Sequence, residues 1–282
     1  MLENPLVPLS ASPDDAMSLA YDVHGPADAD TILLSSGLGG AAAFWTPQIA
    51  ALVHAGYRVI AYDQRGTGRS AQALPAPYSI THMACDVLEI LDITSTRRCH
   101  LMGHALGGLV GLQLALDAPD RIASLILINA WSQPNPHSAR CFDARLALLG
   151  ASGPRAYVEA QPIFLYPAAW CAANAARVQA EVDHAFAHFP GEAVMRARIG
   201  ALRAFDVHAK LGKIKVPTLV AAASDDVLVP WTCSQTLAES LPDAVLDLVH
   251  QGGHAHSVTE AASFNAAVLA FLARVTATGV AA

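Results

Sequence analysis

The stretch Cys99-His-Leu-Met-Gly103-His-Ala105-Leu-Gly107-Gly108, running on into Leu109-Val-Gly-Leu-Gln-Leu-Ala-Leu-Asp117, decides the fold. An apolar run with strand character meets a glycine-flanked turn, and a helical apolar run follows at once. The turn has the spacing of a nucleophile elbow, G-x-S-x-G. There the glycines let the backbone approach closely while the central residue takes a strained conformation and points into a crevice. Ala105 stands where the serine belongs. Hydrolysis at such a site cannot begin with attack by a serine hydroxyl. His104 sits at a variable position of the motif, and a structural role is expected for it.

Outward from the elbow, short β-branched or apolar runs alternate with longer helical ones from Thr31 onward. That is the signature of a parallel sheet covered by helices on both faces. Strands are expected at Thr31–Ser35, Tyr57–Tyr62, Cys99–Met102, Ser124–Asn129, Thr218–Ala223 and Ala244–Val249. Each ends at a loop rich in Gly, Asp, His or Ser, and in such sheets the ligand crevice lies beyond the carboxyl ends of the strands. Between Asn129 and Thr218 the chain carries Ala-, Arg- and Leu-rich helical patterns instead, at Cys141–Leu149, Gly153–Ala160, Ala173–Phe189 and Glu192–Phe205. The expected architecture is α/β, a mostly parallel doubly wound sheet with an inserted helical cap. Residues 1–132 and 209–282 would form the core and residues 133–208 the cap, overhanging the crevice.

The loops after the strands supply the chemistry. Asp226 follows the strand Thr218–Ala223 and is the expected buried acid, with Asp225 as its rival and a turn or cap aspartate as the plainer role for one of them. His254, in Gly252-Gly253-His254-Ala255-His256, follows the last strand and is the expected base. His256 is expected to be structural. The loop Ser35-Ser36-Gly37-Leu38-Gly39-Gly40 follows the first long strand, where the backbone N–H of Leu38 and that of Leu106 would form an oxyanion hole. Such donors aim at a carbonyl oxygen as it becomes negative, and losing one costs roughly 3 kcal/mol in a serine protease. Trp45, just beyond, is expected to pack.

Composition narrows the classes. Hydrophobic residues make up 53% of the 282 and charged residues 15%, which fits a large buried sheet. The apolar runs are strand-length, too short to span a membrane. A net charge of -7 with no basic cluster argues against a nucleic-acid partner. The opening Met1-Leu-Glu-Asn-Pro-Leu-Val-Pro8 has neither the basic nor the apolar region of a secretory leader, so a cytoplasmic location is expected. The five cysteines are widely spaced without a C-x-x-C pair and read as reduced. The histidines lack ligand spacing such as H-E-x-x-H, and no Gly-rich nucleotide loop with an acidic partner follows an early strand. Neither a metal nor a cofactor is expected. The partner is expected to be a small-molecule substrate.

Taken in chain order, these elements resemble the α/β-hydrolase superfamily over nearly the whole chain, including the segment Tyr62-Asp-Gln-Arg-Gly-Thr-Gly-Arg-Ser70. Glu159-Ala-Gln-Pro162, Phe164-Leu-Tyr-Pro167 and Ala223-Ser-Asp-Asp226 with Leu228-Val-Pro230 are further similar to a pyrimidine-utilisation branch of that superfamily. That resemblance implies a small substrate of late uracil catabolism, carbamate or 3-aminoacrylate, an elbow alanine native to the branch, and room for a homodimer. The residues then suggest direct attack by water, with Asp226 orienting His254, His254 accepting a proton and the two N–H groups holding the oxyanion. An anionic substrate would need a cation, for which Arg65 or Arg140 are candidates beside their commoner role in surface pairing. Two other readings stand beside this one: a non-catalytic binding module, and a serine esterase carrying an engineered alanine.

Overall fold

The computed structural model describes residues 19–279. The opening segment on which the absence of a leader rests lies outside the described residues. A 7-stranded sheet is built from β1 (Tyr21–His24), β2 (Thr31–Ser35), β3 (Arg58–Tyr62), β4 (Cys99–His104), β5 (Ile122–Ile128), β6 (Thr218–Ala223) and β7 (Ala244–Val249), in the order β1-β3-β2-β4-β5-β6-β7. β1 is antiparallel to β3 and every other pairing is parallel. The first strand was not expected from the sequence. Its four residues, Tyr-Asp-Val-His, are all only half-buried at the sheet edge, so they carry no apolar run to detect. The strand expected at Ser124–Asn129 begins earlier, at Ile122, and ends at Ile128, because Asn129 turns out of it with a φ of 47°.

The helices are α1 (Thr46–His54), α2 (Ile80–Ile93), α3 (Leu106–Asp117), α4 (Pro136–Leu165), α5 (Ala168–Ala173), α6 (Ala175–Ala187), α7 (Glu192–Arg203), α8 (Trp231–Ser240), α9 (His256–Thr259) and α10 (Ala261–Gly279). Strand side chains alternate between faces with period two, and that alternation divides the core. Leu33, Ile60, Leu101, Leu125, Leu127 and Val220 pack with α2, α3 and α8. Ile32, Leu34, Val59, Met102, Ile126 and Leu219 pack with α1 and α10 on the other side. Trp45 is fully buried in this second cluster and packs, as expected.

Helices α4 to α7 form the insertion between β5 and β6. Two expected helices, Cys141–Leu149 and Gly153–Ala160, fall within α4, which bends at Gly153 (φ 79°, ψ -176°). Phe142, Leu149, Tyr157, Met195, Ile199 and Leu202 from this insertion join the same apolar cluster as α2 and α3. The cap therefore shares the core. Among the described residues no helix is long and apolar enough to cross a membrane.

At the junction of β4 and α3, Ala105 takes φ 46° and ψ -109°, a conformation that L-residues rarely adopt. Its N–H still donates to the Ile128 carbonyl at 2.8 Å, and its own carbonyl opens α3 by accepting from Gly108 and Leu109. Two glycines make the turn possible. A β-carbon at Gly103 would overlap the Gly107 carbonyl, and one at Gly107 would overlap the Ser35 carbonyl at the end of β2. Gly107→Ala is therefore expected to destabilise the fold by about 3 kcal/mol or more, since backbone on both sides must shift. Urea unfolding of the variant checks this, and a loss under about 1 kcal/mol would show that β2 can retreat.

Candidate active site

The loops at the carboxyl ends of β2, β4, β6 and β7 converge on one point. His254 Nδ1 lies 2.7 Å from Asp226 Oδ2, and both side chains are almost completely buried. The other carboxylate oxygen of Asp226 accepts from the N–H groups of Leu228 (2.7 Å) and Val229 (2.9 Å). With the acid held acceptor-only, Nδ1 of His254 must carry the proton, which leaves Nε2 as the basic nitrogen. Asp225, the rival, does a different job. It accepts from Gly252 N–H (3.2 Å) and Gly253 N–H (2.9 Å), and so shapes the loop that presents His254.

Two further side chains fix that loop from below. Asn129 donates from Nδ2 to the His254 carbonyl at 2.6 Å, and His104 Nε2 meets the same carbonyl at 2.8 Å. A carbonyl only accepts, so His104 carries its proton on Nε2, and its buried Nδ1 has no partner. The His104 ring stacks on Phe44 and lies 4.7 Å from the His254 ring, centroid to centroid. Burial, helped by the neighbouring His254, pushes the His104 pKa well below the usual imidazole value. His256 packs edge-on against Phe264, and burial lowers its pKa to about 4 despite the opposing pull of Asp226. Burial favours the neutral form of both rings.

Leu38 and Leu106 stand on facing sides of the elbow. Leu106 is the first residue of α3, where an N–H has no acceptor within its own helix. The loop that carries Leu38 is braced from two directions. Gln64 donates to the Ser36 carbonyl at 2.7 Å, and Asp63 accepts from Ala42 N–H at 2.8 Å. Arg198 of α7, completely buried, donates to the Leu38 carbonyl from Nε (3.2 Å) and Nη2 (3.1 Å) and also contacts Gln64 Oε1. Nothing in the sequence pointed to this arginine, because an arginine on an Ala-rich helix normally reads as a solvated face.

Between core and cap lies a cavity of about 670 Å³. Leu38, Phe44, Ala105 and His254 line it from the core, and Arg145 and Val158 from the cap. Neither expected cation reaches it. Arg65 is held by Asp86 at 2.6 Å, and Arg140 is exposed on α4. Trp131 also lines the cavity. Among the described residues no group of three or more His, Cys, Asp or Glu is placed to hold a metal ion.

The chain is similar to known proteins over most of its length. Residues 26–260 match the Hydrolase_4 family model, described as serine aminopeptidase, S33. A protein of Variovorax paradoxus (strain S110) named "Putative carbamate hydrolase RutD" is 74% identical over 264 residues, covering 94% of this chain and 99% of that protein. A protein of the same name from Stutzerimonas stutzeri (strain A1501) is 56% identical over 255 residues, covering 90% and 96%. Among solved structures, a hydrolase from Pseudomonas aeruginosa PA01 superposes with a TM-score of 0.84 at 31% identity, covering 95% of this chain and 99% of that one. The enol-lactonase from Burkholderia xenovorans LB400 superposes at 0.82 with 27% identity, covering 90% and 96%.

The buried imidazoles make the fold acid-sensitive. His256 titrates near 4 in the folded chain and near 6.5 once unfolded, so between those values the unfolded chain takes up the proton. Stability is then complete above the unfolded value and falls as pH drops toward the folded one. Going from pH 7 to pH 5 should cost about 2 kcal/mol through this group alone. Urea unfolding at both pH values is expected to show His256→Gln losing about 2 kcal/mol less than the unaltered protein. An identical pH response in the two would contradict the assignment.

Proposed function

The chain belongs to the RutD family of α/β-hydrolases, and from that premise we propose that this hydrolase breaks a C–N bond in a small product of pyrimidine breakdown, carbamate or 3-aminoacrylate, using water directly. The observation that carries the proposal is an intact His254–Asp226 pair facing an elbow whose central residue, Ala105, has no hydroxyl. A methyl group leaves room for water in front of Nε2 of His254. Asp226 keeps the ring in one tautomer, Nε2 takes a proton from that water, and the N–H groups of Leu38 and Leu106 receive the oxygen that turns negative.

With carbamate, water adds to the carboxyl carbon, the proton held by His254 passes to the nitrogen, and ammonia leaves with bicarbonate, the hydrated form of carbon dioxide. With 3-aminoacrylate, a proton moves first to C2 to give the imine. Water then adds at C3, ammonia leaves, and malonic semialdehyde remains. His254 serves as the proton carrier in both routes.

Magnitudes make the missing serine tolerable. Disabling the nucleophile of a serine protease costs about 10⁶ in kcat, yet roughly 10³–10⁴ over water survives from binding and the oxyanion hole. Carbamate and 3-aminoacrylate already decay in water, so a few kcal/mol off the barrier is enough, at about 1.4 kcal/mol per tenfold.

Loss of carbamate, and of freshly generated 3-aminoacrylate, with and without the protein is the first test. Acceleration of one of them is expected, and His254→Ala should reduce it by about 10²–10⁴-fold, the usual worth of a general base. Equal decay of both substrates in all samples would remove the hydrolytic reading. Ala105→Ser is expected to give little ester hydrolysis, measured with p-nitrophenyl acetate. A burst of strong esterase activity would instead mean that the site is built for a serine nucleophile.

A further inference from the structure

Two arginines line the cavity, and they differ in one respect. Arg69 is neutralised by Asp22 at 2.7 Å and Asp63 at 2.8 Å. Arg145 of α4 is only 5% exposed and has no carboxylate partner among the described residues. Its Nη2 donates to the Tyr157 hydroxyl at 2.8 Å, while its buried Nε meets no acceptor at all. The guanidinium lies 4.9 Å from the Tyr157 ring centre, with Phe142 at 5.9 Å and Phe164 at 5.6 Å. Those rings exclude water from it without supplying the negative charge that a buried cation demands. Burial accordingly pulls the Arg145 pKa downward, with only Tyr157 and Cys141 acting against it.

A buried cation that borders a cavity and lacks an anion is a site prepared for one. We infer that Arg145 and Tyr157 form an anion subsite in the cap that holds the carboxylate group of a small organic acid, with the rest of the molecule directed toward Ala105 and His254. This deepens the hydrolytic reading and rests on it for the identity of the cavity as the substrate site. The guanidinium carries five N–H donors in a fixed fork that matches a carboxylate, and the Tyr157 hydroxyl occupies only one of them. The surrounding walls are apolar, through Phe142, Val158, Met195 and Leu202, and suit a short carbon chain. A carboxylate anchored on the cap, opposite oxyanion donors on the core, favours an acid whose reacting carbon is separate from its carboxyl carbon. Of the two proposed substrates, 3-aminoacrylate has that form and carbamate does not.

Propionate and its neutral isostere propionamide are the probes, with binding to the whole chain followed by calorimetry. The unaltered protein is expected to bind propionate at least about tenfold more tightly than the amide, as a charge-assisted pair would require. Arg145→Gln should bring the two to within about twofold, and propionate should raise the Tm of the unaltered protein but not of this variant. Equal affinity for both probes in the unaltered protein overturns the inference, and that comparison needs no variant to fold. An undiminished preference in folded Arg145→Gln overturns it as well. A clear propionate preference without acceleration of either substrate's decay would leave the anion subsite standing and remove the hydrolytic reading alone.

Discussion

At Gly107 the first turn of α3 comes so close to the end of β2 that no side chain fits between them, because a β-carbon there would overlap the Ser35 carbonyl. The rest of the site depends on this contact. It places the N-terminus of α3 beside the Ser35–Gly40 loop, so that Leu106 and Leu38 face one cavity. It also leaves the chain no relaxed route from β4 into α3, and Ala105 bears the resulting strain at φ 46°. Strained backbone persists only where its surroundings over-determine it. Here the surroundings are the parallel pairing of β4 with both β2 and β5, together with the glycines at 103 and 107. The elbow has kept its costly shape without the hydroxyl that usually gives that shape a purpose. The shape therefore has a second use, which is to set the direction of α3 and its free N–H groups toward the cavity.

The histidine opposite is held just as firmly, and by groups unrelated to the elbow. Asp226 fixes its ring, Asp225 fixes the glycines before it, and Asn129 and His104 both fix its carbonyl. These partners come from three strand ends, those of β4, β5 and β6. With its ring on Asp226 and its backbone tied at these further points, His254 is held in a fixed position beside the cavity. Under the proposed direct attack by water, preorganisation of this kind matters more, because orientation and charge stabilisation would be the whole of the catalytic effect.

Much of this was legible in the sequence, and the reason is local. β2, β3 and β6 are short apolar runs with Gly, Asp or Pro within two residues of each end, and the elbow is written in consecutive residues. Asp226 and His254 were named because each lies in the loop that follows an expected strand, and the structure brings them to 2.7 Å. The antiparallel edge strand Tyr21–His24 escaped because a half-buried edge shows no apolar run. Arg145 and Arg198 escaped for a different reason. Both sit on helices where Arg is common on the wet face, and only the packing of the cap against the core turns them inward. Arg65 and Arg140 drew attention by position alone, and an ion pair with Asp86 and exposure on α4 respectively account for them.

The two buried cap arginines separate structure from function within one insertion. Arg198 spends its donors on the Leu38 and Arg65 carbonyls and on Gln64, so its burial is compensated inside the fold. Its effect is to tie α7 to the Ser35–Gly40 loop, making the cap a support for the core rather than a detachable lid. Arg145 is buried to a similar degree with a single hydroxyl acceptor, and so it lowers stability in the empty protein. Selection for folding alone would favour an apolar residue there, since replacing a buried unpaired charge by one of similar volume commonly stabilises a protein. An uncompensated guanidinium beside a cavity is instead what ligand binding requires, because the missing anion then arrives with the ligand and its attraction is undiluted by a resident carboxylate. The cap thus completes the site twice over, once by holding the loop in place and once by leaving a positive charge unmet.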